Sequence, residues 1–265
     1  MAADQARERL DRLLVERGLA ENRSQAQALI MAGRVFHETQ RLEKAGQRFP
    51  VDYPLRVEAG KRWVGRGAEK LLPALERFQP QVDQTRGIDI GASTGGFTQL
   101  MLERGATEVI ALDVGTNQLD YRLRQDDRVH VMEQVNARHL DQEQLPYRPQ
   151  WAVADVSFIS LELILPPVAA CLEDGSWMLV MVKPQFEVGR AQVGRGGIVR
   201  DPALRRQALE RVIGVADQIG WTLQGLHPAG LAGADGNQEY FLYLVQGAEP
   251  VDAATQERWL EDALQ

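Results

Sequence analysis

The sequence has a single cysteine, four histidines and no long hydrophobic run among its 265 residues. The lone thiol, Cys171, cannot form an internal disulfide or a thiolate metal cage, which excludes a disulfide-stabilised scaffold and favours a reducing compartment. The histidines lack the spacing of metal ligands, so no metal site is expected. Apolar stretches such as Trp177–Val182 are far shorter than the ~18 residues that span a bilayer, and no signal-peptide apolar region is present. We therefore expect a cytoplasmic protein without membrane association.

The net charge is divided unevenly along the chain. With 44% hydrophobic and 25% charged residues, the composition is that of a folded protein of one large or two modest domains. The formal net charge is -7, but residues 1–79 carry 15 Lys and Arg against 11 Asp and Glu, whereas the remainder carries 15 against 26. Because nucleic-acid binding relies on Lys and Arg, this asymmetry indicates a small basic binding module joined to an acidic domain. Ordinary scatter of charge explains the counts equally well.

The N-terminal segment has the pattern of a compact α+β module. Apolar residues recur at helical spacing over residues 5–20 and 24–32, and Gly18 and Gly33 mark the helix ends. Short strands are predicted at 35–36 and 55–57, on either side of a polar stretch. We assign the module to residues 1–59 and a basic linker with a lead-in helix to residues 60–80, where Pro73 predicts a kink or a late helix start.

From Gly87 onward, short apolar strands alternate with helical segments, which is typical of a mostly parallel sheet covered by helices on both faces. The predicted strands cover residues 87–90, 108–112, 129–133, 151–154 and 177–182, and a final antiparallel pair covers 221–227 and 240–245. The fold class is therefore α/β. A Rossmann-like domain is expected at 81–250, followed by a C-terminal helix at 251–265.

The strongest local motif is a strand that enters a glycine-rich turn and then a helix, at residues 87–98. Ser93 stands where a dinucleotide fingerprint has its second glycine, which disfavours a pyrophosphate. Asp113 ends the next strand, 22 positions after Gly91, where a carboxylate can accept both hydroxyls of a ribose. A nucleoside ligand without a diphosphate fits both features, and S-adenosylmethionine (AdoMet) is such a ligand. The plain alternative is a turn that serves helix–strand packing, with a solvated aspartate nearby.

Three further charged residues stand at the ends of apolar strands, where open α/β sheets place reactive groups. Asp155 and Lys183 each follow a strand, and Glu239 precedes the last one. A charge beside an apolar run is costly to bury, so each requires a partner or a chemical task. The alternative for each is a charge that emerges into solvent at the sheet edge.

With these motifs the sequence resembles the TlyA-like ribosomal RNA 2′-O-methyltransferases, also called hemolysin A, whose catalytic domain is related to the FtsJ methyltransferases. The resemblance covers nearly the whole chain. Residues 9–15 and 23–35 look like a small RNA-binding module first seen in a ribosomal protein. That likeness implies RNA contacts at Arg23, Ser24, Gln25 and Arg34.

The resemblance also implies a catalytic site and a cofactor. FtsJ-like enzymes use a Lys-Asp-Lys-Glu tetrad, and the matching residues are Lys70, Asp155, Lys183 and Glu239. The implied cofactor is AdoMet, and its expected binding residues are Asp89, Gly91, Ala92, Ser93, Gly95, Gly96, Phe97, Asp113 and, at the adenine position, Asn136. The implied function is methyl transfer to a ribose 2′-hydroxyl of ribosomal RNA, with rRNA or ribosomal subunits as partners.

A ribose 2′-hydroxyl is a poor nucleophile near neutral pH, so the transfer requires its deprotonation or close orientation. Burial and the charge of Lys70 favour a neutral Lys183, whereas Asp155 and Glu239 favour its ammonium form. Lys183 is therefore either a general base or a cation that stabilises the developing alkoxide.

The basic, glycine-rich segment at residues 186–200 is predicted to grip RNA through Arg190 and Arg195, or to be an ordinary surface loop. Two other functions stay open. One is an AdoMet-dependent methyltransferase for a base nitrogen or a small molecule, which has no use for the tetrad. The other is a non-catalytic RNA-binding protein of ribosome assembly.

Overall fold

The computed structural model describes residues 6–58, 62–233 and 235–265. The chain forms two compact units, which divide between Arg62 and Trp63. The predicted start of the first helix at residue 5 and the predicted domain boundary at residues 59 and 60 lie outside the described residues. From Trp63 on, the segment predicted as a linker and lead-in helix packs as part of the second unit.

The first unit is built from two short helices and two small antiparallel sheets. Its elements are β1 (Arg7–Arg9), α1 (Leu10–Glu16), α2 (Arg23–Met31), β2 (Val35–His37), β3 (Gln40–Arg41), β4 (Arg48–Pro50) and β5 (Arg56–Val57). β1 pairs with β4, and β2 pairs with both β3 and β5. Leu10, Leu14 and Ile30 lie at the centre of its core and are fully buried.

The second predicted helix of this unit is confirmed as α2, and Asn22 caps it by accepting a hydrogen bond from Gln25 N at 2.9 Å. The first helix is shorter than predicted, because Arg7–Arg9 pairs with β4 as a strand. Strand β4 has no apolar alternation that would predict it, since Phe49 is the buried residue between an exposed Arg48 and a half-buried Pro50.

The second unit contains a seven-stranded sheet in the order β11-β12-β10-β9-β6-β7-β8. Its strands are β6 (Arg86–Ile90), β7 (Glu108–Asp113), β8 (Val129–Glu133), β9 (Trp151–Ala154), β10 (Trp177–Val182), β11 (Trp221–Pro228) and β12 (Tyr240–Gln246). The five strands from β10 to β8 are parallel, and β12 is antiparallel to both β10 and β11. The predicted α/β class and its antiparallel last strand are confirmed.

Helices cover both faces of this sheet. They are α3 (Gly67–Phe78), α4 (Gly96–Glu103), α5 (Tyr121–Arg124), α6 (Leu165–Cys171), α7 (Pro184–Glu187), α8 (Pro202–Gln218) and α9 (Ala253–Leu264). Along β7, Val109 and Ala111 join the core beneath α3 and α4, whereas Ile110 and Leu112 join the core beneath α6, α8 and α9. No helix within the described ranges 6–58, 62–233 and 235–265 is long and apolar enough to cross a membrane.

Helix α3 begins well before Pro73, which excludes the late start, one of the two alternatives that Pro73 predicts. Ala68 and Leu71 are fully buried and anchor the first turns against the core. A proline inside a helix removes one backbone donor, and this packing of the preceding turns compensates for that loss.

Candidate active site

The carboxyl ends of the parallel strands meet at one edge of the sheet. Asp113 ends β7, Asp155 follows β9, and Lys183 follows β10. Glu239 precedes β12, and because β12 is antiparallel to β10, this residue reaches the same edge. Open α/β sheets bind ligands at this edge, so the topology alone brings the four side chains into one region.

The glycine turn between β6 and α4 is required by contacts within the protein. Gly91 and Gly95 have φ angles of +83° and +91°, in the left-handed region that favours glycine. A Cβ atom on Gly91 would lie 2.5 Å from the carbonyl oxygen of Asp155, and one on Gly95 would lie 2.3 Å from Leu123 Cδ1. Helix–strand packing therefore explains both glycines, independently of any ligand.

A cavity of about 310 Å³ lies between the glycine turn and the ends of β7 and β9. Four predicted cofactor residues line it: Gly91, Ser93, Asp113 and Asn136. The Asp113 carboxylate is fixed against the turn, since Oδ2 accepts from Ser93 N at 2.8 Å and Oδ1 accepts from Gly115 N at 2.7 Å. A small cavity with fixed polar groups is typical of a ligand site.

The walls of this cavity suit the predicted cofactor. Most are apolar, among them Ile90, Leu112, Val135, Ala137, Ile159 and Ile164. Asn136 Oδ1 accepts a hydrogen bond from Arg138 N at 3.0 Å, which fixes the amide at the edge of these walls. An apolar slot beside an amide and a strand-end carboxylate offers contacts for a base and a ribose, respectively, and the residues present therefore fit AdoMet.

Asp89 and Gly95 line neither this cavity nor the one described next. Asp89 is buried beneath α4, where its Oδ2 accepts from Thr98 N at 2.9 Å and from Thr98 Oγ1 at 2.7 Å. Its Oδ1 has no hydrogen-bond partner among the described residues. Burial raises the pKa of Asp89 to about 7. Asp89 acts on the site through the position of α4.

A second cavity, of about 190 Å³, adjoins the first, and both are lined by Gly91, Ser93 and Asp155. Lys70 lines the second cavity, and its Nζ donates to Glu239 Oε2 at 2.6 Å. Both side chains of this ion pair are buried. The remaining predicted cofactor residues, Ala92, Gly96 and Phe97, also line this cavity. The Lys70–Glu239 pair therefore stands beside the candidate cofactor site.

Lys183 forms a second ion pair at the same edge, between its buried ammonium and the half-buried carboxylate of Asp155. Its Nζ lies 2.6 Å from Asp155 Oδ1 and donates to Ser157 Oγ at 2.8 Å, and the residue is only 7% exposed. Because Asp155 lines both cavities, the ammonium is held beside them. A fixed ammonium can stabilise a developing oxyanion, and a neutral amine can accept a proton.

Three residues that the sequence did not single out also shape the site. Ser157 accepts the hydrogen bond from Lys183. Phe158 is 92% exposed at a φ of +64°, and it lines both the first cavity and a groove that it shares with Phe186. Glu187 is buried and accepts from Ser160 Oγ at 2.6 Å, and burial raises its pKa. In the sequence, these residues could have been identified by their proximity to Asp155 and Lys183.

The predicted RNA-contact residues of α2 lie on the surface of the first unit. Arg23 is more than half exposed, and its Nε donates at 2.9 Å to Asp11, a fully buried carboxylate. Asp11 also accepts from Arg9, so it orients two guanidinium groups. Ser24 and Gln25 are exposed. Arg23, Ser24 and Gln25 are thus accessible to a ligand.

Of the other predicted RNA contacts, Arg34 and Arg195 lie in loops and Arg190 begins a short 3-10 helix. Arg34 is half-buried, and its guanidinium donates to the Glu58 carbonyl oxygen at 2.7 and 3.0 Å, so part of its donor capacity is used internally. Arg195 is exposed. The side chain of Arg190 lies outside the described part of the structure.

Comparison with known proteins gives matches over the whole chain. The model of the FtsJ-like methyltransferase family matches residues 63–246, and the S4 domain family matches residues 8–51. The 16S/23S rRNA (cytidine-2′-O)-methyltransferase TlyA of Mycobacterium tuberculosis is 44% identical over 260 residues, which cover 97% of this chain and 96% of that protein. YqxC of Bacillus subtilis is 48% identical over 240 residues, covering 90% and 85%, respectively. A solved structure of a Streptococcus thermophilus protein, assigned by name to the hemolysins, is 42% identical with a TM-score of 0.72 and covers 98% of this chain and 96% of that one.

Proposed function

The chain belongs to the FtsJ-like methyltransferase family, and on this premise we propose that it transfers a methyl group from AdoMet to a ribose 2′-hydroxyl of ribosomal RNA. The similar TlyA protein is named for a cytidine 2′-hydroxyl of 16S and 23S rRNA, so cytidine is the nucleotide proposed. The S4 domain is proposed to bind the RNA. The observation that carries the proposal is the set of two ion pairs with buried lysines, Lys70–Glu239 and Lys183–Asp155, beside the candidate cofactor cavity.

AdoMet supplies an electrophilic methyl group on a sulfonium sulfur. In the proposed complex, Asp113 accepts hydrogen bonds from the ribose hydroxyls, and Asn136 lies at the edge of the adenine. The apolar walls of the cavity exclude water from the base. Gly91 keeps the turn close to Asp155, so the cofactor residues and the ion pair form one continuous surface.

Lys183 is proposed to meet the 2′-hydroxyl as a cation. Asp155 Oδ1 at 2.6 Å supports the ammonium form, and an ammonium stabilises the negative charge that develops on the 2′-oxygen as its proton passes to solvent water. The alternative base role requires Lys183 to lose a proton first, with the Asp155 carboxylate as the adjacent acceptor. Lys70 and Glu239 are proposed to orient the ribose beside it.

Replacement of Lys183 tests this assignment. Lys183→Ala is expected to lower the single-turnover rate of rRNA methylation by about 10²- to 10⁴-fold, a range that covers the loss of an oxyanion-stabilising group and of a proton-transfer group. Methylation is measured by mass spectrometry of nucleosides from the treated rRNA, and AdoMet binding by calorimetry serves as the control. A product methylated on the base, or near-normal methylation by the variant, would favour the base-nitrogen alternative.

Lys183→Arg separates the two roles of the lysine. Arginine keeps the positive charge but stays protonated, so substantial activity indicates electrostatic stabilisation and inactivity with normal binding is compatible with a base. Because arginine is longer and forked, a pH–rate profile is recorded with it. A base requires an acidic limb that moves in Asp155→Asn. Wild-type protein that binds AdoMet and rRNA without any turnover would instead support the non-catalytic alternative.

A further inference from the structure

Apart from the two cavities of the candidate active site, the second unit has an open cavity of about 380 Å³ whose polar lining is basic. Its walls come from three segments: the residues before α8, the first turn of α8, and the residues before β12. The lining residues are Ile198, Val199, Arg200, Arg205, Gly236 and Gln238. No carboxylate is among them.

The two arginines of this cavity lack an acidic partner. Neither Arg200 nor Arg205 has a carboxylate within ion-pair distance in the described part of the chain. Arg205 is half-buried, and its Nε is shielded from solvent without a hydrogen-bond partner. Its other contacts are long, 3.4 Å to Tyr240 Oη and 3.3 Å to the Arg200 carbonyl oxygen. A buried donor left unpaired indicates that an acceptor is missing.

The neighbouring Arg206 shows what a satisfied guanidinium looks like on the same helix. It forms bonds of 2.5 to 2.8 Å with Glu257 and Glu210. Asp201, at the start of α8, does not compete for Arg205, because its carboxylate accepts from Ala203 N and does not line the cavity. The two Nη groups of Arg205, which make only long contacts, are therefore the donors available to a ligand.

The walls of the cavity are held together by Asn237, which is 1% exposed. Its Oδ1 accepts from Val199 N and its Nδ2 donates to the Gly197 carbonyl oxygen, both at 2.9 Å. These bonds fasten the segment before α8 to the segment before β12. The cavity thus has a fixed shape, which a site for a small ligand group requires.

The cavity lies at the reactive edge of the sheet. Arg205 contacts Tyr240, and Tyr240 pairs with Val182, the residue before Lys183. Gln238 lines the cavity and directly precedes Glu239. A ligand group held by Arg205 is therefore at the same edge of the sheet as the ion pairs of the candidate active site.

From these observations we infer that Arg205, with Arg200, binds a backbone phosphate of the RNA substrate next to the nucleotide that is methylated. Guanidinium groups pair with phosphate through charge-assisted and often bidentate hydrogen bonds, and a phosphodiester offers the two Nη groups of Arg205 stronger acceptors than their long contacts of 3.3 and 3.4 Å. The inference rests on the proposed function. It adds a positioning contact that places the ribose relative to Lys183.

The test compares Arg205→Gln with Arg206→Gln in the full chain, using a fragment of ribosomal RNA. Each variant removes one positive charge from adjacent positions of α8, so the long-range electrostatic change is matched. Arg205→Gln is expected to weaken RNA binding several-fold relative to Arg206→Gln, and to reduce the slope of log affinity against log salt by about 0.7 to 0.9. AdoMet affinity should be unchanged in both variants. Equal RNA affinities and equal slopes for the two variants would overturn the inference.

Two further measurements identify the ligand. Arg205→Lys keeps the charge, so it is expected to retain the salt slope while losing affinity, and thermal unfolding confirms that all variants are folded. A neutral methylphosphonate linkage beside the target nucleotide should weaken wild-type binding but have no further effect on Arg205→Gln. If inorganic phosphate binds the wild-type protein while the neutral linkage weakens both proteins equally, the cavity takes a free anion and the RNA assignment is wrong. Failure of the proposed function is distinguishable, because wild-type protein would then leave the 2′-hydroxyl unmethylated.

Discussion

Among the carboxyl groups of the described residues, Asp89 has a pKa raised well above that of a free side chain. It is fully buried, and burial outweighs its two hydrogen bonds from Thr98, with the negative charges of Asp155 and Asp113 adding to the effect. Its pKa rises from 3.8 to about 7 in consequence. The same residue positions the start of α4, so its ionisation is linked to the stability of the element behind the glycine turn.

A dependence of stability on pH follows from this shift. The folded state keeps the proton of Asp89 up to a pH of about 7, whereas the unfolded chain releases it near pH 3.8. The contribution of Asp89 to the free energy of unfolding is therefore largest below pH 3.8 and falls as the pH rises from 3.8 to about 7. Asp89→Asn does not titrate. The free energy of unfolding of the variant minus that of wild type should therefore be larger at pH 8 than at pH 5, as measured by denaturant unfolding at both pH values. An identical difference at the two pH values would contradict the assignment.

At the scale of elements, the glycine turn between β6 and α4 is held in place by β7, a strand that comes later in the sequence. Asp113, at the end of β7, accepts hydrogen bonds from the backbone of Ser93 and of Gly115. One carboxylate thus joins the glycine turn to the loop that follows β7 at the cofactor cavity. The positive φ of Ser93, +48°, shows that the turn adopts a conformation uncommon for this residue type.

Asp113→Ala is expected to weaken AdoMet binding by about 1.5 to 3 kcal/mol, the usual range for hydrogen bonds to a charged group. RNA affinity should be unchanged, because the residue lies in the candidate cofactor cavity. Calorimetric titration measures both. Asp113→Asn keeps an acceptor for Ser93 N and is the matched control, with an intermediate loss expected. An unchanged affinity in Asp113→Ala would mean that the ribose is bound elsewhere.

The predictable parts of this fold are the elements whose own short sequence has a clear hydrophobic pattern. Strand β10 is an apolar run from end to end, and the residues that follow such runs, Asp155 and Lys183, were recognisable as candidates. Strand β4 has only Phe49 buried, so no periodicity marks it. The pairing of the charged residues could not be predicted for a different reason: the sequence grouped both Asp155 and Glu239 with Lys183, whereas Glu239 pairs with Lys70. The Lys70–Glu239 pair joins residues 169 positions apart, and only the complete sheet sets that contact.

For the molecule as a whole, the two units have separate cores. Residues such as Leu14 and Ile30 form the core of the first unit, whereas the second unit has a core on each face of its sheet. Residues 1–62 carry 12 Lys and Arg against 9 Asp and Glu, a positive balance within an acidic chain. Cofactor binding and RNA anchoring are therefore expected to be separable.

Deletion of residues 1–62 should leave a protein that binds AdoMet normally and binds rRNA weakly. The candidate cofactor cavity lies entirely within the second unit, and the loss of the basic unit removes its phosphate contacts. The salt slope of the remaining RNA binding should fall by about 0.7 to 0.9 for each lost contact. If the shortened protein methylates rRNA as well as the full chain, the first unit is not the RNA anchor.

The insertion of β12 between β10 and β11 has a consequence for synthesis of the protein. During translation, β10 and β11 leave the ribosome before the strand that joins them, and Lys70 emerges long before its partner Glu239. The S4 unit, complete within the first part of the chain, can fold while the catalytic sheet is still open. A nascent chain that stops before β12 would therefore contain the proposed RNA-binding unit without a finished active site. Such an aborted product would compete with the complete protein for RNA instead of acting as a weaker enzyme.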